Sequence, residues 1–149
     1  MPSSSDLHGS YDSQNIFAKI IAGDMPAVKV FEDDDALAFM DIFPQSEGHT
    51  LVIPKTVQAR NFFDIDPDAL ATLIQRTQRV AKAVEEALKP DGVRVIQFNG
   101  EAAGQTVFHI HFHIIPTYKD QTEKAHAAGG QADPEALAAL AERIKEKLA

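Results

Sequence analysis

The chain has 149 residues, 44% of them hydrophobic and 24% charged, which suits one folded domain with a buried core of its own. Fourteen basic against 22 acidic residues leave a net charge of −8, and with no cluster of Lys and Arg this argues against capture of long nucleic acid. The absence of cysteine excludes disulfides, thiol catalysis and thiolate zinc ligands.

Residues 1–13 (MPSSSDLHGSYDS) are polar, lack a signal-peptide core, and read as a disordered tail. With no apolar run long enough to span a bilayer, the expectation is a cytoplasmic protein without membrane contact. Asp12 or Ser13 is placed to cap a short helix, QNIFAKIIA, that stops at Gly23. VKVFE and ALAFM flank the acidic turn Asp33-Asp34-Asp35 as a hairpin. DIFPQSEGH, with Pro44 and Gly48, is a loop leading to the buried strand TLVIPK, which Pro54 closes.

Asp66-Pro67 opens a long helix, with Asp as cap and Pro in the first turn. Leu70, Leu73, Ile74, Val80, Ala81, Val84 and Leu88 recur in it at helical spacing until Pro90 and Gly92 end it. VRVIQFN is a strand, NGEAAGQ a loop, and TVFHIHFHIIP a further strand. Residues 117–132 are polar and expected to be mobile, and Asp133-Pro134 opens a last amphipathic helix over 133–148. Residues 14–149 thus form a single α+β domain with an antiparallel sheet.

The segment VFHIHFHIIP, 107–116, needs a reason beyond folding. On a strand, Val107, His109, His111, His113 and Ile115 share one face while Phe108, Ile110, Phe112 and Ile114 take the other, core-facing side. Successive imidazoles then stand roughly 6.5–7 Å apart. One reading is an exposed face that happens to be rich in histidine. A second is a metal site, since His-x-His on a strand pairs ligands and His49 could add another, although no carboxylate lies within the motif. The third is phosphorus chemistry, in which a neutral imidazole attacks and its neighbours donate to phosphate oxygens or to the leaving group. The preceding loop supplies Asn99, Gly104, Gln105 and Thr106 as contacts for an anion, without the GK[ST] of a Walker loop. From periodicity alone Ile16, Phe17, Ile20 and Phe39 read better as core residues, while Asp41 reads equally well as a turn carboxylate and His49 can be a loop cap.

QTVFHIHFHIIP resembles the signature of the histidine-triad (HIT) family, His-φ-His-φ-His-φ-φ with φ apolar, and NIFAKIIAGDMPAVKVFEDDDALAFMDIFPQSEGHTLVIPK resembles its Hint-type branch. The resemblance runs from about Asn15 to Pro116. It implies a HIT-like fold with a five-stranded antiparallel sheet, a long helix and terminal helices, in a homodimer built on the long helix and VRVIQFN. It also implies a nucleotide hydrolase without cofactor, acting at the α-phosphate of a purine nucleotide conjugate of the AMP phosphoramidate type.

On that reading His111 is the nucleophile, His113 assists the leaving group, and His109 and His49 complete the cluster. Asn99, Gly104, Gln105 and Thr106 line the phosphate, Asp41 holds the ribose, and Ile16, Phe17, Ile20, Phe39 and Ile42 surround the base. Some bacterial members bind structural zinc through a Cys-x-x-Cys; Asn15 and Ala18 stand at those places here, so no metal is expected. His113 is retained where uridylyltransferases carry glutamine, which favours hydrolysis. The Asn99–Gln105 loop is one residue shorter than in related types, and a loop and helix replace the short Hint-type tail. The alternatives are a dinucleoside polyphosphate hydrolase, with which Thr106 is compatible, a nucleotide-binding signalling module with little turnover, and a metal-dependent hydrolase.

Overall fold

Period-two alternation along the central strands gives this fold two apolar faces rather than one. The structure is a computed structural model that describes residues 7–120 and 130–148. Its elements are α1 (Ile16–Ala22), β1 (Lys29–Glu32), β2 (Ala36–Met40), β3 (Thr50–Pro54), α2 (Pro67–Leu88), β4 (Gly92–Ile96), a 3-10 turn (Glu101–Ala103), β5 (Phe112–Thr117) and α3 (Pro134–Leu148). The strands form one antiparallel sheet in the order β1-β2-β3-β5-β4, the α+β architecture expected from the sequence.

Ala38, Met40, Val52 and Ile114 on one face pack against Leu73, Val80 and Val84 of α2 and Leu137, Ala141 and Ile144 of α3. Leu37, Phe39, Leu51 and Ile53 on the other face pack against Phe17 and Ile20 of α1. Register sets Phe39 opposite Leu51, Leu51 opposite His113, and His113 opposite Ile96. The histidine face is therefore the α1 face, and the two-helix layer braces the sheet from behind.

Local chemistry explains the helix ends. Asp66 accepts from the amides of Asp68 and Ala69, with Pro67 following, and Gly23 ends α1 in the left-handed region at φ 85°. The cap of α1 is Asn15, whose side chain accepts from the Ala18 amide at 2.9 Å, rather than Asp12 or Ser13. Asp12 instead accepts from Gln14 and Asn15 in the turn just before.

The expected strand over TVFHIHFHIIP begins only at Phe112. Pairing with β3 runs through Val52↔Phe112 and stops. Pro54 has no amide to extend that ladder, and the Ile110 amide turns instead to the Ala59 carbonyl at 2.9 Å. His109 and His111 consequently sit on irregular backbone leading into the strand, and only His113 stands on the sheet. The strand expected over VRVIQFN likewise ends at Ile96, leaving Gln97 to Asn99 to the loop.

Residues 7–13 of the expected tail lie against the domain, with Tyr11, Ser10 and Leu7 all in hydrogen bonds to it; residues 1–6 lie outside the described residues. Of the segment 117–132 expected to be mobile, Thr117 closes β5, Tyr118 donates to the Glu47 carbonyl and the Ala132 amide to that of Ile42. Residues 121–129 lie outside the described residues.

Gly48, at φ 96°, delivers the chain to His49, and a Cβ there would meet Leu88 Cδ1 at 2.2 Å. Gly48→Ala is expected to lower unfolding stability by about 1–3 kcal/mol, measured by denaturant titration, since both the conformation and the space favour glycine.

Candidate active site

Four imidazoles meet at the α1 face, and all four are buried. The His111 and His113 rings lie 4.9 Å apart between centroids, and those of His49 and His113 5.2 Å apart. Backbone groups decide which nitrogen of each ring holds its proton, because a carbonyl can only accept and an amide can only donate.

His111 Nδ1 is 2.7 Å from the His109 carbonyl, so Nδ1 carries the hydrogen and the lone pair of the neutral ring is on Nε2. His49 Nδ1 accepts from the Gln45 amide at 3.0 Å, which places its hydrogen on Nε2, 2.9 Å from His113 Nδ1. His113 is then the acceptor at Nδ1 and carries its own hydrogen on Nε2. The two central rings are thereby set in opposite senses: His111 presents a nucleophilic nitrogen, and His113 presents a donor.

His109 has a different position. Its Nε2–H donates to the Pro54 carbonyl at 2.9 Å, and its Nδ1 lies 2.7 Å from the Tyr11 hydroxyl. Burial pushes its pKa below the usual histidine range, with the Pro54 bond opposing in part. A neutral ring engaged at both nitrogens is a brace, and its main contribution to His111 is the carbonyl oxygen.

The other expected residues divide into those beside the imidazoles and those that build the surrounding loops. Phe17 packs edge-on to His111 at 4.9 Å and to Phe39 at 5.3 Å, and Ile20 joins the same buried cluster. Asp41 is buried, with Oδ2 3.5 Å from His49 Nε2 and Oδ1 accepting from the Phe43 amide. Ile16 and Ile42, adjoining Phe17 and Asp41 in the chain, are 42% and 40% exposed. Thr106 is exposed.

Gln105 faces inward: it accepts from the Gly100 amide and donates to the carbonyls of Arg60 and Val107. Asn99 accepts from the Phe62 amide and pairs with the Gln97 amide group. Gly104, at φ 112°, lies where a Cβ would touch the Phe98 ring at 3.5 Å. These side chains shape the loop that presents the triad.

Two contacts were not expected from the sequence. Phe98 packs against His113 at 5.3 Å, although it reads as the end of a strand. Tyr11 reaches His109 from a segment whose polar composition gives no sign of packing.

Among the described residues, Asp41, His49 and His113 offer metal-ligand atoms within 4.8 Å of one another. Two zinc-bound nitrogens at ~2.0–2.1 Å in tetrahedral geometry stand roughly 3.3 Å apart, whereas the facing nitrogens of His49 and His113 are at the 2.9 Å of a hydrogen bond. A cation there would have to replace the proton that sets the tautomer of His113. The donor set suits a metal, but this spacing suits a proton.

Comparison with known proteins gives the same fold. The HIT domain family matches residues 22–120. A Hit-like protein from Bartonella henselae, described as involved in cell-cycle regulation, superposes with a TM-score of 0.86 at 46% identity, over 94% of this chain and 100% of its own. The protein named hit of Bacillus subtilis is 46% identical over 103 residues, 69% of this chain and 70% of its own. The adenosine 5'-monophosphoramidase hnt1 of Schizosaccharomyces pombe is 40% identical over 136 residues, 89% of this chain and 97% of its own. With this motif, fold and degree of identity, the chain belongs to the histidine-triad (HIT) domain family.

Proposed function

We propose that the protein hydrolyses purine nucleotide conjugates at the α-phosphate, of the AMP phosphoramidate type, through a nucleotidyl-His111 intermediate. The observation that carries this reading is the opposed tautomer pair, with the lone pair of His111 on Nε2 and the hydrogen of His113 on Nε2. The name of the S. pombe relative supports the substrate class. The buried Asp41 carboxylate and the exposed apolar side chains of Ile16 and Ile42 support a ribose and base site beside the imidazoles.

Nε2 of His111 attacks phosphorus in line with the leaving amine, and the P–N bond breaks as the new imidazole–phosphorus bond forms. The cation that develops on the ring is held by the His109 carbonyl at Nδ1–H. The departing nitrogen accepts a hydrogen bond from the Nε2–H of His113 and takes its proton from solvent, so that His113 stays neutral. Water then takes phosphorus from His111, its second proton replacing the one drawn from solvent, and the nucleoside monophosphate leaves. Thr106, exposed in the loop ahead of the triad, would contact the non-bridging oxygens.

Mixing the protein with an adenosine 5'-phosphoramidate in a single turnover should release the amine and produce a protein heavier by one adenylyl group. His111→Gly should abolish both, a loss of at least about 10³-fold for removal of a nucleophile. Binding without amine release by the native chain would defeat the reading. Turnover should be indifferent to chelator, and added zinc should inhibit it by engaging Asp41, His49 and His113; activity that disappears with chelator and returns with zinc would make the imidazoles ligands instead.

We also infer a homodimer. β4 is an edge strand whose Val95 is 52% exposed, and α2 exposes Ile74 at 46%. An open apolar edge of this kind is a liability in a monomer and a natural pairing surface. Light scattering should give twice the chain mass, and Val95→Asp should shift the population to monomer.

A further inference from the structure

Residues 7–11 are fastened to the loops that carry the triad. The Tyr11 hydroxyl is 2.7 Å from His109 Nδ1, with the two rings edge-on at 5.7 Å. The Ser10 carbonyl accepts from Arg60 Nη1 at 3.3 Å, and the Leu7 carbonyl from Asn61 Nδ2 at 2.7 Å. Leu7 also covers Gly100, where a Cβ would lie 3.4 Å from Leu7 Cδ1. Arg60 and Gly100 are the two points that Gln105 ties together from within. The arm therefore closes, from outside, the same loop assembly that Gln105 closes from inside.

The direction of the Tyr11 bond follows from the far side of the ring. Because His109 Nε2–H donates to Pro54, Nδ1 has only a lone pair to offer, and the tyrosine must donate. The imidazole is then held at both edges: turning it over would break both bonds at once. We propose that Tyr11 is a positioning residue, which by donating to His109 Nδ1 fixes that ring and its backbone, so that the His109 carbonyl holds His111 Nδ1–H in the orientation for attack. The arm is thus part of the catalytic unit although it touches no reacting atom. Tyr11 lies partly buried, and its phenol is pushed above the usual tyrosine range by that burial, so it remains a donor throughout the working range of the imidazoles.

Tyr11→Phe retains the edge-on ring and removes only the donor. The kinetic arm of the test rests on the proposed nucleotidyl chemistry; the spectroscopic arm does not. The variant is expected to lose about tenfold in kcat for amine release, with KM changed less than about twofold. In ¹⁵N spectra the His109 Nδ1 resonance should move toward that of an unbonded pyridine-type nitrogen, and the His111 Nδ1–H should exchange faster with solvent. In a His109→Leu background, which has no acceptor for Tyr11, the further change to Phe should cost nothing more.

Unaltered ring resonances, unaltered kcat with only a lowered melting temperature, or an equal tenfold loss in the His109→Leu background would each overturn the proposal. A native protein that releases no amine, but whose His109 and His111 resonances respond to Tyr11→Phe, would refute the phosphoramidate reading and leave the positioning role standing.

Discussion

The bond from His111 Nδ1 to the His109 carbonyl, 2.7 Å long, spans two residues and sets the polarity of the whole site. A neutral imidazole has one hydrogen and one lone pair. Once Nδ1 is committed to a carbonyl, Nε2 holds the lone pair without any neighbouring base. The cost of an unsatisfied buried N–H keeps the ring in that tautomer. His49 does the reverse for His113, because the Gln45 amide occupies its Nδ1. Backbone groups, which cannot change their hydrogen-bonding character, thereby assign different chemistry to two identical side chains.

That assignment depends on rigidity, and the sheet supplies it. Ile110 and Ile114 are buried against the helical layer while His113 faces α1, so the polypeptide is pinned behind the imidazoles it presents. Phe17 and Phe98 close on His111 and His113 from the sides. Both histidines are 5% exposed. Low local dielectric also strengthens each of the hydrogen bonds involved.

The approach to the triad is polar and buried at once. Arg60 is 1% exposed, with its guanidinium 4.4 Å over the Phe108 ring, and Gln105 is fully engaged among three backbone groups. Such a network is stable only when every member is satisfied. That requirement ties the 60–64 turn, the 100–105 loop and residues 7–11 into one unit. It also explains why Gln105 and Asn99, which the motif suggests as phosphate contacts, point into the loops: a short irregular segment has many backbone groups to satisfy and few neighbours to satisfy them.

Much of the fold is legible in the chain by itself. Asp66-Pro67, Gly23 and Asp133-Pro134 mark helix ends through capping chemistry that involves only adjacent residues. Alternation along VFHIHFHIIP places Ile114 toward the helical layer and His113 toward the opposite face of the sheet, across from Leu51. The spacing of the histidines also marks the candidate site. What the tertiary structure decided is how those histidines are held. Alternation extended the strand back to Thr106, but Pro54 ends the ladder and Ala59 takes the Ile110 amide, so His109 and His111 leave the sheet. Tyr11 and His109 are 98 residues apart, and His49 and His113 are 64 apart. Periodicity and caps report on neighbours within a few residues. A tautomer is set by whichever carbonyl, amide or hydroxyl the folded chain brings to the other nitrogen, and that partner becomes defined only when distant segments pack.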